Sequence, residues 1–423
     1  MSAGAIFLAI GMYLLDRRWP MQEEFKLPLL YGGGPEGARS VLSLVASSMI
    51  TVTGVVFSIT IVALTLASQQ FGPRLLRNFM KDRGNQIVLG TFLATFIYCI
   101  LILPSIHTSE SGPFVPYFSV NVGVLLTLLS LVVLIYFIHH IPALMQVSTV
   151  VDDVTRTLLR TIREFRPEKW KEDSLQKIAA TEPDEELRKR FLDEGKKIRS
   201  NFSGYLQAID YEGLRHMALE LDLQIWIRVQ AGHFVIKNSP IALVIQRGEN
   251  SEALREVFND KLIFGIKRTE TQDIEYAISE LVEIALRALS PGINDPRTAV
   301  NCIDRLAEGI AELAARRIDV PRFEDETGTL RVLGQTQTFR SAVDEAYNEI
   351  RQIARGNAAV CLRLLEVFRE IGELAVRTAD REVIRVHADM VIRSCRESLQ
   401  EKCDLEQAEA RYQEFTEFFE AVS

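Results

Sequence analysis

Residues 40–67 read SVLSLVASSMITVTGVVFSITIVALTLA, and no charged side chain occurs from Ser40 to Pro73. A helix needs ~20 consecutive apolar residues to cross the hydrocarbon core of a bilayer. The run from Val41 to Ala67 exceeds that length, and an uncharged run of this kind is typical of a membrane span. The sequence therefore predicts a transmembrane helix over residues 41–67.

Three further apolar runs lie on either side of this segment. Residues 87–103 and 118–141 are each long enough to cross the membrane once. Residues 1–15 are shorter, so a signal-peptide core and a buried helix are the alternatives to a span. The following Asp16-Arg-Arg-Trp-Pro20 has no small-residue cleavage site and is typical of an interfacial helix end. We expect about four transmembrane helices within residues 1–147 and leave open whether the first is truncated.

Basic residues in short loops predict the orientation, because such loops remain on the cytoplasmic side. The loop at 104–117 contains no Lys or Arg, whereas the loop at 69–86 contains one acid and four basic residues, Arg74, Arg77, Lys81 and Arg83. Further arginines follow the last span. We therefore expect both termini and the C-terminal region to be cytoplasmic.

Charge divides the chain into two parts. Residues 1–150 carry eight Lys or Arg and six Asp or Glu, while residues 151–423 carry the remaining forty and fifty. The second part is thus strongly acidic and lacks the basic face that nucleic-acid binding requires. The five cysteines form neither a CxxC pair nor a Cys/His cluster. We predict no metal site, no disulfide framework and no cofactor.

Beyond residue 147 the pattern is that of a soluble region. Residues 148–200 combine a helix with dense Glu and Lys and two prolines, which is typical of a helical connector. Residues 201–268 contain β-branched and aromatic runs, and residues 269–423 have apolar residues at helical spacing. The predicted fold class is a membrane α-helical N-terminal region followed by a cytoplasmic α+β region, mainly helical with a small β-rich subdomain.

The second span has an unusual face, which we call the hydroxyl stripe. Its small and hydroxylated residues recur at helical steps and share one side; they are Ser47, Thr51, Gly54, Ser58, Thr65 and Ser68. Such a face either packs closely on another helix or lines a water-filled path. No charged residue lies within residues 41–67, 87–103 or 118–141, which argues against a proton-coupled pump.

Two histidines lie at the predicted inner end of the last span. His139 and His140 follow Tyr136 by one helical turn, so an imidazole there could act as a gate or sensor. The alternative is that all three side chains anchor the helix end at the membrane interface.

The segment SPGINDPRT, residues 290–298, predicts a turn between two helices. Gly292 suits the left-handed turn, Asp295 suits the N-cap and Pro296 suits the first helical position. A helix N-terminus can also bind an anion. The polar residues around this turn are therefore candidates for ligand or subunit contact, with a purely structural role as the alternative; they are Asn294, Asp295, Arg297, Thr298, Asn301 and Asp304.

Several motifs together resemble a bacterial family of predicted membrane proteins, DUF2254. They are SMITVTGVVFSIT at 48–60, QFGPRLLRNFM at 70–80, YFIHHI at 136–141 and, above all, ALSPGINDPRTA at 288–299. The resemblance covers nearly the whole chain and departs at the start, where a longer first span would be expected. It implies a bacterial inner (plasma) membrane protein with a cytoplasmic domain, and it brings no activity, cofactor or catalytic residue.

Two hypotheses for function follow from these patterns. The first is a homo-oligomeric channel or passive transporter, in which the second span lines a polar pore and the cytoplasmic domain regulates it. The second is a membrane-anchored sensor or scaffold whose cytoplasmic domain binds a ligand or partner protein. No nucleophile, base and orienting group form a recognisable pattern, so an enzyme is not expected. The expected partners are the lipid bilayer and further copies of the chain, not nucleic acid.

Overall fold

The structure is a computed structural model. It describes residues 1–19, 31–71, 83–109, 112–144, 146–166, 185–246 and 252–422. The chain forms two compact units, an N-terminal unit of residues 1–149 and a C-terminal unit of residues 150–423.

The described part of the N-terminal unit contains four long helices and a short hairpin. The helices are α1 (Ser2–Arg18), α2 (Pro35–Phe71), α3 (Arg83–Ile102) and α4 (Tyr117–Leu144), and the hairpin pairs β1 (His107–Ser109) with β2 (Gly112–Phe114). Three helical segments are long and apolar enough to cross a membrane, namely Pro35–Ala67, Gly84–Ser105 and Tyr117–Ile141. They confirm three of the predicted spans. The fourth, over α1, stays a prediction because α1 has only 17 residues.

Polar contacts gather four helix ends at one end of the N-terminal unit. The carboxylate of Asp16, at the end of α1, accepts hydrogen bonds of 2.9 Å from the backbone N–H groups of Phe118 and Ser119 in the first turn of α4. Arg39, near the start of α2, donates through Nε to the carbonyl oxygen of Ile106, just after α3. The ends of α1 and α3 and the starts of α2 and α4 therefore lie at the same end of the unit, and successive helices run in opposite directions. The basic loop that carries the orientation prediction lies largely outside the described residues.

Two small sheets organise the C-terminal unit. The first has the strand order β3-β7-β5-β10-β9, and its strands are β3 (Lys196–Arg199), β5 (Leu223–Ile227), β7 (Pro240–Gln246), β9 (Arg322–Glu324) and β10 (Leu330–Leu333). Within it, β10 is parallel to β5 and the other neighbours are antiparallel. The second has the order β6-β4-β8, with β4 (Gly204–Ile209), β6 (Phe234–Val235) and β8 (Leu262–Gly265).

Both faces of the five-stranded sheet are covered, as the apolar alternation along β5 requires. Ile225 and Ile227 are fully buried in one cluster with helix α7 (Tyr211–Glu220). Trp226 packs on the opposite face against Phe191 of α6 (Glu185–Glu194). Strands β4 to β8 lie within residues 201–268, where the sequence predicts a small β-rich subdomain, whereas β9 and β10 lie in a segment where no strand was expected.

Helices form the rest of the C-terminal unit. Besides α8 (Glu252–Asn259), they are α9 (Ile274–Ala288), α10 (Pro296–Ala314), α11 (Phe339–Ile353), α12 (Ala358–Leu374), α13 (Thr378–Ser398) and α14 (Lys402–Val422). Helix α9 packs on α10 and α11, and α12 packs on α10, α13 and α14. The helical spacing found over residues 269–423 therefore corresponds to six helices, α9 to α14.

Part of the predicted connector belongs to the core of this unit. Helix α5 (Val147–Phe165) buries Val151, Leu158 and Ile162. A Cβ atom on Gly309 of α10 would lie 2.5 Å from Cδ2 of Leu158, so the glycine makes room for that side chain. Strand β3 likewise joins the main sheet. The acidic and basic stretch at 167–184, which contains both prolines, lies outside the described residues.

Candidate functional site

The hydroxyl stripe lies on the side of α2 that faces away from the rest of its unit. Ser47, Thr51, Gly54, Ser58 and Thr65 are all exposed, whereas the buried positions are Ala38, Leu42, Val45, Ala46, Met49, Val56 and Ala67. Successive residues of an α-helix are about 100° apart. On that spacing the centres of the two sets lie on opposite sides of the helix. The stripe therefore does not pack against another described helix of its own chain.

Hydroxyl groups in the stripe bond to their own helix. Thr51, Ser58 and Thr65 each donate a 2.9 Å hydrogen bond to the carbonyl four residues earlier. No atom lies within 4 Å of a Cβ placed on Gly54. The result is a shallow surface on which every hydroxyl oxygen can still accept a hydrogen bond. The side chain of Ser68, the last predicted member, lies outside the described residues.

The structure brings two of the three predicted gate residues together at the end of α4. Tyr136 Oη lies 3.2 Å from Nδ1 of His140, and the two rings stack with centroids 4.9 Å apart. A Cβ on Gly84, in the first turn of α3, would lie 2.6 Å from Nε2 of His140. His139 is exposed, and its Nδ1 lies 2.9 Å from the carbonyl oxygen of Ile135. The pair therefore packs on α3, and His139 faces outward.

The turn before α10 confirms the capping role of Asp295. Its side chain accepts hydrogen bonds from the backbone N–H of Thr298 at 3.2 Å and from the hydroxyl of Thr298 at 2.6 Å. These bonds, the hydroxyl first, lower the pKa of Asp295. The expected role of Gly292 is wrong, because Asn294 adopts the left-handed conformation with φ of 50°. An Asn side chain tolerates this region because its amide can hydrogen-bond locally.

The other polar residues near the turn do not converge on one point. Arg297 and Asn294 are exposed, and Asn301 is half-buried. Asp304 accepts a 2.6 Å hydrogen bond from Nε of Arg363, which ties α10 to α12. Packing and capping therefore account for Asp295, Thr298 and Asp304.

A cavity of about 260 Å³ in the C-terminal unit was missed by the sequence analysis. It lies between the last turn of α5, the ends of β4 and β5, the start of α9 and the segments before β9 and after β10. Its polar lining residues are Arg166, Tyr211, Gln230, Gln272, Gln335, Thr336 and Gln337, and its apolar ones are Phe165, Ile209, Ala231, Ile274, Pro321 and Phe323. These residues come from six separate stretches of sequence, so their spacing gave no signal.

Arg166 holds a fixed position at this cavity. Its Nη1 donates 2.9 Å to the carbonyl of Phe165, and its Nη2 donates to the hydroxyl of Thr336. Its own carbonyl accepts a 2.6 Å hydrogen bond from Arg316. Burial lowers the pKa of Arg166. Burial also raises the pKa of Tyr211 to about 12, so its phenol stays protonated at neutral pH.

Comparison with known proteins identifies the family. The family model described as "Predicted membrane protein (DUF2254)" matches residues 1–370. The chain belongs to this family. Uncharacterised proteins from Mycobacterium bovis and Mycobacterium tuberculosis are each 28% identical over 384 residues, which cover 89% of this chain and 71% of the relative. No solved structure matches the chain significantly.

Proposed function

We propose that this DUF2254 protein is a homo-oligomeric channel or passive transporter of the bacterial inner membrane. In this proposal α1 is a fourth span, both termini and the C-terminal unit are cytoplasmic, and that unit regulates the pore. The hydroxyl stripe of each copy faces a shared water-filled path. The observation that carries the proposal is the position of the stripe opposite the buried face of α2.

Three properties of α2 support this arrangement. In the most apolar 18-residue stretch of α2, only 11% is buried within the chain, against 39% for the corresponding stretch of α3. Helix α2 therefore has the larger surface for other partners. The small side chains of the stripe leave room for a path between the α2 helices of neighbouring copies. Hydroxyl oxygens, spaced along one line, can accept hydrogen bonds from water in a narrow path. No charged group is required for passage of a polar or weakly hydrated solute.

A membrane-anchored sensor is the second candidate, and the cavity beside Arg166 favours it. In that case the spans act as a tether, and the C-terminal unit binds its ligand without any flux across the membrane. The two candidates differ in what α2 touches. In a sensor the stripe contacts lipid or a second helix, whereas in a channel it contacts water.

Flux through purified protein in liposomes tests the channel directly. We expect the parent protein to pass small ions or polar solutes faster than empty liposomes do. Ser58→Leu fills the stripe with an apolar side chain and should block or dewet the path. Val55→Leu is the matched control, because Val55 is exposed on the same helix but lies off the stripe.

Subunit counting in mild detergent accompanies the flux measurement. The channel proposal expects one defined oligomer for the parent and for both variants. A monomeric parent without flux, or equal flux through the Ser58→Leu and Val55→Leu variants, contradicts the proposal. Cysteines introduced at Ser111 and Arg77 test the orientation with an impermeant thiol reagent on intact cells. Labelling at residue 77 with protection at residue 111 would show that the orientation is opposite to the proposed one.

A further inference from the structure

We propose that the cavity at the end of α5 binds a small organic anion, a carboxylate or a monophosphate with a compact apolar body, through the guanidinium of Arg166. This binding site is independent of the channel proposal. A ligand there suits a regulated pore and a tethered sensor alike.

The first argument is a guanidinium that forms no direct ion pair in the described part of the chain. Among the described residues, no carboxylate lies within ion-pair distance of Arg166. The carboxylate of Asp319 acts on it from beyond that distance and is itself paired with Arg317 at 2.7 Å. Arg163, one turn earlier on α5, instead pairs with Glu312 at 3.2 Å. An ionised acceptor forms the strongest hydrogen bonds with a guanidinium. Because Nε is enclosed by protein atoms, an anion in the cavity reaches the guanidinium through Nη1 and Nη2, each of which has a second N–H beyond the one bonded to the protein.

The second argument is that this arginine is held in place before any ligand arrives. Its two Nη atoms already bond to the carbonyl of Phe165 and the hydroxyl of Thr336. A long side chain normally loses rotamer freedom on binding, and a prior anchor reduces that loss. The remaining N–H groups of Nη1 and Nη2 are thus held on a rigid support.

The third argument comes from the amide side chains around the cavity. Gln272 and Gln337 are committed to the protein, because each bonds through both its amide oxygen and nitrogen. In contrast, Gln230 and Gln335 also line the cavity, and neither uses its side-chain amide in a hydrogen bond within the described part of the chain; Gln335 accepts from Tyr211 through its backbone carbonyl. These two amides and the remaining N–H groups of the guanidinium can together coordinate a carboxylate or phosphate.

The apolar lining limits the size and shape of the rest of the ligand. The ring of Phe323 stacks on that of Tyr211 with centroids 6.2 Å apart, and Pro321 completes this wall. Cavities for drug-sized ligands have volumes of about 300–1,000 Å³. At about 260 Å³ this one suits a smaller molecule with a flat or branched apolar part.

Thermal stability of the full chain in detergent tests the inference with three probes of similar shape. Benzoate and phenyl phosphate carry an anion, and benzamide is neutral. At constant ionic strength we expect at least one of the two anions to raise the Tm in a saturable manner, and benzamide not to do so. The anion that binds more tightly identifies the carboxylate or the phosphate class.

Two substitutions on α5 locate the site. Arg166→Gln removes the charge and should weaken anion binding roughly 10- to 100-fold, as loss of a charge-assisted hydrogen bond implies. Arg163→Gln changes the exposed arginine one turn away and should bind like the parent. The inference is overturned if neither anion raises the Tm of the parent up to about 10 mM. It is also overturned if benzamide binds equally well, or if the Arg166→Gln variant keeps the parent affinity.

Discussion

Helices α2 and α3 contain the same kinds of polar residue and place them on opposite sides. In α3, Thr95 is fully buried and its hydroxyl lies 3.0 Å from that of Ser130 on α4. In α2, Thr51 and Thr65 are exposed and bond to the backbone of their own helix. A neighbouring helix of the same chain therefore accounts for the polar side of α3. On the polar side of α2 no described helix of the chain is present, so this side contacts lipid, water or another copy.

The same distinction applies to other polar groups. Asp16 and Asp295 each cap a helix, and the chain itself supplies all the donors they bind. In contrast, the guanidinium of Arg166 forms no direct ion pair in the described chain, and the hydroxyl groups of Thr51, Ser58 and Thr65 bond only to the backbone of their own helix. We expect substitution of the first kind of group to change stability. Substitution of the second kind should change binding or flux instead.

The largest loss of stability is expected for Asp16→Ala. Its carboxylate is 2% exposed and also accepts a hydrogen bond from the hydroxyl of Ser119. Removing it leaves two backbone N–H groups at the start of α4 without acceptors, at an expected cost of about 2–3 kcal/mol. Unfolding in a denaturing detergent mixture measures the change. Asp16→Asn retains an acceptor and should lose less; an unchanged Asp16→Ala variant would show that the cap is not part of the fold in a membrane.

A smaller loss is expected for Asp295→Ala, because this cap is half-buried and water can replace it. Loss of an N-cap side chain costs about 0.5–2 kcal/mol, and Asp295→Ser, which keeps a capping oxygen, should be milder. Chemical denaturation of the full chain, followed by a signal from the C-terminal unit, measures both variants. If both melt like the parent yet lose assembly or flux, the structural role of this turn is wrong and a contact role replaces it.

The smallest effect, and the sharpest comparison of α2 with α3, comes from the pair Thr95→Val and Thr65→Val. Thr95→Val removes the bond to Ser130 and should cost about 0.6 kcal/mol, the average for such bonds between membrane helices. Thr65→Val removes only a bond within α2 and should leave the unfolding free energy of the monomer unchanged. An equal loss of unfolding free energy in both variants would contradict the proposed difference between α2 and α3.

The sequence predicts most helices and strands because their signals are local. An uncharged run such as 41–67 is long enough to identify a span, and alternation in β5 or helical spacing in α12 follows from which side is buried. Strands β9 and β10 were missed because three and four residues give too little pattern. Asp16 was interpreted as an interfacial end, and its role as a cap depends on α4, 102 residues later in the chain.

The candidate sites divide in the same way. The six residues of the hydroxyl stripe share one helix, so their common face could be predicted from spacing. Whether that face points inward or outward depends on tertiary packing, which spacing does not contain. The cavity could not be predicted from local sequence patterns, because Arg166, Gln230 and Gln335 meet only after strands and helices from separate parts of the chain have packed.

Cysteine scanning from Ser47 to Thr65 in reconstituted protein tests the central claim most directly, namely that the stripe faces water outside its own chain. A background with Cys403→Ser suits the experiment, because Cys403 is the one exposed cysteine in the described chain and Cys99, Cys302, Cys361 and Cys395 are buried. We predict that cysteines at Ser47, Thr51, Ser58 and Thr65 react with small water-soluble thiol reagents, whereas those at Val55 and Ile59, which are exposed beside the stripe, remain protected by lipid. Uniform protection of all central positions, in protein shown to be folded, would contradict the channel and favour the tethered sensor.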